Sequence, residues 1–296
     1  MELSWLTKLK IGFVLAIGAD VWIALAWSLM APADPVEPVM LGSLSMPGMI
    51  VLPLVAFAVG FIAYFAAWPY GREVGILAVP AGLSVWGLRS GSMTSLMQAT
   101  TDVAARQQIY STLRWEPLFW LLLVGLGAWG AHTAARRFPA KKAKQPDTHH
   151  ETVSAGLLQG CAAVILSLVI GHILIGAFVR GTPLPNIAIA VQSEGPQIAF
   201  GIWLAFAAAA FVVRHLLRIS FGWTIGSIAL LYIIITFIYG RTSVMAQVVA
   251  MAPATSFPHA IMGVMPIQLV AFGVLGAITG YWWAVRYHYW RKHECA

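Results

Sequence analysis

The feature that most constrains this chain is a series of apolar blocks, each roughly 17 to 25 residues long, separated by short polar segments. An α-helix of that length crosses the roughly 30 Å of hydrocarbon in a bilayer. Charged residues make up only 10% of the chain, too few to cover a water-facing surface. The alternation typical of an outer-membrane barrel is not seen. The sequence therefore predicts an all-α, polytopic integral membrane protein.

The blocks predict about eight transmembrane helices. They cover residues 9–30, 48–68, 74–89, 117–136, 154–179, 197–214, 221–240 and 260–286. The third block is the shortest and contains Pro80, which predicts a kink or a tilt. The first block is too long for a typical signal peptide and contains Asp20, so we expect it to be a retained helix.

Lys and Arg residues are distributed unevenly between the two sides of these predicted helices. Thirteen lie on the side of the N-terminus and five on the other. Because positively charged loops stay in the cytoplasm, this pattern predicts a bacterial-type cytoplasmic (inner) membrane protein with both termini cytoplasmic. Since the bases lie at block ends, the net charge of +7 does not indicate a nucleic-acid partner.

A polar segment near the middle of the chain predicts two units with four helices each. The units are residues 1–138 and 154–296, joined by a basic cytoplasmic linker, 139–153. Arg89-Ser-Gly-Ser-Met93 in the first unit corresponds to Arg241-Thr-Ser-Val-Met245 in the second. Four helices per unit predict parallel repeats, related by an axis along the membrane normal. The external segment 92–116 has near-helical apolar spacing and either lies flat on the outer surface or caps the bundle.

Asp20 and His172 are the residues most relevant to a proton or ion site. Asp20 lies near the middle of the first span, where an ionised carboxylate costs several kcal/mol unless it is paired or hydrated. We expect it to face the bundle interior. His172 lies in the fifth span, close to the equivalent depth under the repeat. The alternatives are a protonated or hydrogen-bonded acid and an imidazole that only bonds across helices.

Three arginines are predicted at the outer ends of helices: Arg89, Arg241 and Arg180. They form a candidate outer-mouth site for an anion or a lipid headgroup. The alternative is that they are interfacial anchors whose side chains extend towards water.

The remaining residues favour no cofactor and no catalytic site. Haem needs two axial ligands at one depth, and the histidines at block ends, such as His215 and His259, disfavour it. His149-His150, Cys161 and Cys295 are not a metal framework, so the sequence predicts no metal site. A bound lipid or quinone stays open. No nucleophile–base pair or nucleotide-binding motif is present.

Two functions remain, and both are open. The first is a small transporter or proton/ion-linked translocator, with Asp20 and His172 as proton-linked groups. The second is a non-catalytic subunit or scaffold of a larger membrane complex that binds quinone, lipid or pigment. Its partners would be membrane lipids and other membrane subunits, or a second copy of the chain. An intramembrane enzyme has the least support.

Overall fold

The structure is a computed structural model of the whole chain, and it describes residues 5–30, 37–100, 102–139, 156–179, 190–191, 193–251 and 256–294. Thirteen α-helices occupy these described residues. They are α1 (Trp5–Val21), α2 (Trp27–Met30), α3 (Met46–Ala66), α4 (Gly71–Val74), α5 (Ala78–Arg89), α6 (Met93–Gln98), α7 (Val103–Leu113), α8 (Glu116–Arg137), α9 (Leu157–Phe178), α10 (Gly195–Leu217), α11 (Gly222–Tyr239), α12 (Thr242–Met251) and α13 (Pro266–Glu294). Two short strands, β1 (Ala190–Val191) and β2 (Ser256–Phe257), pair antiparallel.

Seven helices in the described part of the chain are long and apolar enough to cross a membrane. They are Trp5–Met30, Met46–Ala66, Val103–Arg137, Leu157–Phe178, Gly195–Leu217, Gly222–Tyr239 and Pro266–Lys292. The first consists of α1 and α2, joined without a break by a π-helical turn, Trp22–Ala26. The protein is therefore an all-α, polytopic membrane protein.

The structure differs from the prediction in the third span, 74–89, which is not one continuous α-helix. Its helix α5 has only 12 residues, and a 3₁₀ turn, Gly75–Leu77, separates it from α4. Proline has no N–H to donate, so the turn before Pro80 lacks one α-helical hydrogen bond. The last span also starts later than predicted: residues 260–263 form a 3₁₀ turn, and α13 begins at Pro266.

The centre of the bundle is α13, which packs against α5, α8, α10 and α11. Around it, α3 packs on α8, α9 packs on α10 and α11, and α1 packs on α5. Several of these contacts bring backbones together. A Cβ added to Gly280 of α13 would lie 1.9 Å from the carbonyl oxygen of Ala207 in α10, and one added to Gly60 of α3 would lie equally close to that of Gly127 in α8. Small residues at these crossings allow the helices to pack closely.

The two ends of the bundle differ in structure. We call the end at which α1 begins and α8 and α13 finish the basic end, because it carries Lys10, Arg72, Arg136 and Arg291. At the other end, the opposite end, α6 and α7 cover the helices. Met93, Met97, Tyr110 and Leu113 are buried there, and the Tyr110 hydroxyl donates to the carbonyl of Met262 at 3.1 Å. Of the two alternatives for segment 92–116, the structure shows the cap.

Candidate functional site

Asp20 lies on the exposed side of α1. The buried face of this helix contains Val14 and Gly18 and continues through Trp22 and Ala26, whereas the Asp20 side chain points away from the bundle. The expectation that Asp20 faces the interior was wrong. Two residues further on, within the π-helical turn, the carbonyl of Trp22 accepts a hydrogen bond of 3.0 Å from Nε1 of Trp86 in α5. This contact belongs to the buried face and fixes which way α1 is turned.

His172 belongs to a stack of rings at the other side of the bundle. Its imidazole is parallel to that of His259, with ring centroids 4.6 Å apart, and His259 also stacks on Tyr239 at 5.4 Å. The Nδ1 atom of His259 accepts a hydrogen bond from the N–H of Ile261. Parallel rings do not direct their nitrogens at a point between them, so the pair is not arranged as axial ligands of a haem. Asp20 and His172 lie on helices that make separate sets of contacts, α1 with α3 and α5, and α9 with α10 and α11.

The structure describes two of the three outer arginines, Arg89 and Arg241. The Arg89 guanidinium lies 4.7 Å from the ring centroid of Trp27, a cation–π contact that holds α5 to α2. Arg241 is exposed at the residue before α12. Arg180 lies outside the described residues.

A buried acid that the sequence did not single out lies at the opposite end. Glu116, the first residue of α8, is 1% exposed, and its Oε1 accepts a hydrogen bond of 2.7 Å from the N–H of Leu41. Its Oε2 atom is buried without a hydrogen-bond partner. Trp120, one turn along α8, is close enough to interact electrostatically with the carboxyl, but its Nε1 reaches no acceptor in hydrogen-bond geometry. A buried carboxyl with one free oxygen is costly, and such groups often mark functional sites.

Two tyrosines, Tyr110 of α7 and Tyr232 of α11, complete this polar cluster. Tyr232 of α11 is fully buried, and its hydroxyl has no partner. It lies within electrostatic range of both Glu116 and Tyr110. We call Glu116, Trp120, Tyr232 and Tyr110 the buried polar cluster. It combines one carboxyl, one indole N–H and two phenols, so it can bind a proton or a water molecule between α8 and α11.

The sequence around Glu116 gives little sign of this role. An acid just before Pro117 at the start of an apolar block is typical of an ordinary helix N-terminus. The one available signal is Trp120, because residues four positions apart share a helix face.

A polar cleft of about 340 Å³ opens at the same end, between the C-terminus of α5 and the N-terminus of α10. Ser90, Ser193 and Gln268 line it, and Gln268 is itself buried. The Ser90 hydroxyl is buried without a partner, whereas that of Ser193 donates to the carbonyl of Val179. Within the described residues, no group of three or more His, Cys, Asp or Glu side chains could hold a metal ion.

The chain matches no family model, no curated protein and no solved structure. The residues themselves therefore carry the argument about function.

Proposed function

We propose that this protein is a non-catalytic subunit of a larger membrane complex, and that α1 contacts another membrane chain through the face that carries Asp20. The observation that carries this proposal is the exposure of Asp20 in the middle of a membrane span. From Lys10, at the basic end, to Asp20 an α-helix rises about 15 Å, half the thickness of the hydrocarbon layer. An ionised aspartate at that depth costs about 3 kcal/mol when it faces lipid. A partner side chain that pairs with it removes this cost.

The face around Asp20 is shaped for a second helix. The residues at intervals of four along it are exposed and, apart from Asp20 itself, small: Gly12, Ala16, Asp20, Ala24 and Ser28. A Cβ added to Gly12 would meet no atom within 4 Å. Small residues in such a row let two helix backbones approach closely, and a polar group in the row hydrogen-bonds across the contact. We call this row the Asp20 stripe.

Charge complementarity indicates what kind of partner fits the Asp20 stripe. The mid-membrane carboxylate calls for a basic side chain, Lys, Arg or His, at the same depth. A second copy of this chain has no Lys or Arg inside its spans, because its basic residues lie at span ends. Its intramembrane His172 is already stacked on His259. The partner we propose is therefore a transmembrane helix of a different chain with a basic side chain at mid-depth.

The proposal also includes the membrane and the arrangement of the chain. The excess of Lys and Arg at the basic end supports a bacterial-type inner membrane with both termini cytoplasmic. Two parallel four-helix units are supported by matching contacts when α5 is counted as the third span of the first unit: the second span of each packs on the fourth, α3 on α8 and α10 on α13. The first also packs on the third, α1 on α5 and α9 on α11. Most of the proposed linker, 139–153, lies outside the described residues.

Site-specific photo-crosslinking of the full chain in its native membrane tests the subunit proposal. A photoreactive residue replaces Ala24 in the Asp20 stripe, and the control position is Ile165, which is exposed on α9. We expect adducts from position 24 only, to a transmembrane peptide of another chain with a basic residue at mid-depth. Asp20→Leu should remove these adducts. Adducts to a second copy of this chain, to lipid alone, or unchanged by Asp20→Leu would overturn the proposal.

A second candidate, a proton-linked translocator, is favoured by a different observation: the unpaired, buried Oε2 of Glu116. In this proposal the buried polar cluster binds the proton, and the cleft beside Ser90 and Gln268 opens towards the opposite side of the membrane. Asp20 and His172 are then not the proton-binding pair, because their helices make separate contacts.

Proton flux into liposomes that contain only the purified chain tests this second candidate. We expect Glu116→Gln to abolish flux, because an amide cannot exchange a proton, while Asp20→Asn leaves it intact. Glu37→Gln is the matched control, since Glu37 is an exposed acid at the same end and does not line this cleft. Flux that survives Glu116→Gln, or no flux from the wild-type chain, would contradict proton translocation and would leave the crosslinking test unaffected.

A further inference from the structure

We propose that a cleft at the basic end binds the phosphate of an anionic phospholipid, whose acyl chain packs on an adjacent aromatic surface. The cleft has a volume of about 300 Å³ and lies between the end of α3, the turn before α4 and the last turns of α8. Its polar lining consists of Tyr64, Tyr70, Arg72, Glu73, His132 and Arg136. We call it the basic cleft.

Positive charge is in excess among the described residues that line the basic cleft, where two arginines and a histidine lie with one glutamate. Arg72 comes from α4, and His132 and Arg136 come from successive turns of α8. Both arginines are close enough to His132 to interact with it electrostatically. Glu73 also lines the cleft, but it makes no ion pair with a described residue, and neither do the arginines. Two guanidiniums that make no ion pair with a described residue, beside an imidazole, favour a phosphate, to which arginine offers a planar pair of donors.

The cleft is preformed by contacts between its walls. The Tyr64 hydroxyl donates a hydrogen bond to the carbonyl of Phe138, which ties α3 to the end of α8. Gly71 lies against the same tyrosine: a Cβ there would be 2.0 Å from the Tyr64 carbonyl oxygen. The Lys10 ammonium donates to the carbonyl of Trp68, which adds a further cation next to the cleft. A preformed site loses little conformational entropy when a ligand binds.

An aromatic surface continues from the basic cleft along the outside of the bundle. Phe61 and Phe65 of α3 have ring centroids 5.5 Å apart, and Phe65 and Phe138 are separated by 5.3 Å. Phe65, Trp68 and Phe138 are about two-fifths exposed. A free phosphate would use only the cationic part of this surface. A phospholipid would use both, since its acyl chain can cover the exposed rings.

Native mass spectrometry of the full chain in detergent, with phosphatidylglycerol or phosphatidylcholine as the probe, tests this proposal. We expect phosphatidylglycerol to be retained in preference to phosphatidylcholine. Arg72→Gln and Arg136→Gln should each weaken its binding about fivefold, the effect of one basic residue near an anionic headgroup. Arg137→Gln is the matched control, because Arg137 is exposed at the next position and does not line the cleft.

A second arm separates the lipid from free phosphate. Phe65→Ala with Phe138→Ala should weaken phosphatidylglycerol binding, and inorganic phosphate should not displace the lipid at equal concentration. Equal retention of the two lipids, equal effects of Arg136→Gln and Arg137→Gln, or displacement by inorganic phosphate would each overturn the proposal. Because the arginines and both phenylalanines are exposed, we expect all of these variants to fold.

Discussion

The side-chain amide of Gln268 links α13 to the end of α5 by donating a hydrogen bond of 2.7 Å to the carbonyl of Gly87. The Oε1 atom of the same side chain accepts a hydrogen bond of 3.1 Å from the N–H of Met265. Gly87 is two residues from the end of α5, so no N–H of the same helix can donate a hydrogen bond to its carbonyl. One glutamine therefore binds both the carbonyl of Gly87 at the end of α5 and the N–H of Met265 at the start of α13.

Gln268→Met should destabilise the bundle by roughly 2 to 4 kcal/mol. Methionine has a similar length, but it leaves the Gly87 carbonyl and the Met265 N–H buried without partners, at about 1 to 3 kcal/mol for each group. The free energy of unfolding can be measured by titrating mixed micelles with SDS and following tryptophan fluorescence. Gln108→Met is the control, because Gln108 is exposed on α7. A loss of equal size in both variants would mean that Gln268 contributes no specific contact.

The contact between Leu41 and Glu116 predicts a local change in hydrogen exchange. Glu116→Leu removes the acceptor of the Leu41 N–H, so we expect exchange in the peptide that contains Leu41 to rise at least about tenfold. Glu116→Gln keeps an oxygen at the same place and should leave exchange close to that of the wild type. Mass spectrometry of exchanged peptides distinguishes the two variants. If both exchange alike, the segment before α3 is held by other contacts.

The spans could be predicted from the sequence, because burial in lipid requires long apolar helices with satisfied backbones. The sequence also predicted an irregular third span, because Pro80 favours a kink or a tilt. The position of the break was not predictable, because a proline permits several local geometries, and packing selected a 3₁₀ turn at Gly75–Leu77.

The candidate sites were harder to predict, and α1 shows why. This helix has a glycine on each of two faces, Gly18 on one and Gly12 on the other, and either face could have packed against the bundle. The contact with α5 decides between them: a Cβ on Gly18 would lie 2.0 Å from the carbonyl oxygen of Ala78. Asp20 is then exposed as a consequence. The environment of Glu116 depends on the chain segment at Leu41, which is distant in sequence, so no local pattern could have revealed it.

Arg106 should be needed for the cap over the opposite end but not for the bundle. It is 3% exposed, and its guanidinium donates to the carbonyls of Thr100 at 2.7 Å and Met97 at 2.9 Å. These carbonyls lie at the C-terminal end of α6, where a cation is favoured. We expect Arg106→Met to increase proteolysis within residues 93–100 while the bundle still unfolds cooperatively.

Arg106→Lys is the informative comparison for this prediction. Lysine keeps the charge but lacks the planar pair of donors, so we expect cleavage at a rate between the wild type and Arg106→Met. Cleavage of Arg106→Lys at the rate of the wild type would show that charge alone holds α6. No increase in cleavage for Arg106→Met would contradict its role in the cap.

The close crossing of α10 and α13 predicts a strongly damaging substitution. Gly280 of α13 has no room for a side chain, because an added Cβ would lie 1.9 Å from the carbonyl oxygen of Ala207, and backbone atoms cannot rotate away. Gly280→Val should therefore force α10 and α13 apart and cost at least about 3 kcal/mol, or prevent folding.

Gly226→Val is the matched control: Gly226 is also within a helix, but a Cβ there meets no atom within 4 Å. We expect the control to stay within about 1 kcal/mol of the wild type, since valine has a slightly higher helix propensity than glycine. The same SDS titration, with size-exclusion chromatography for variants that do not refold, measures both. Equal stability of the two variants would contradict the close contact between α10 and α13.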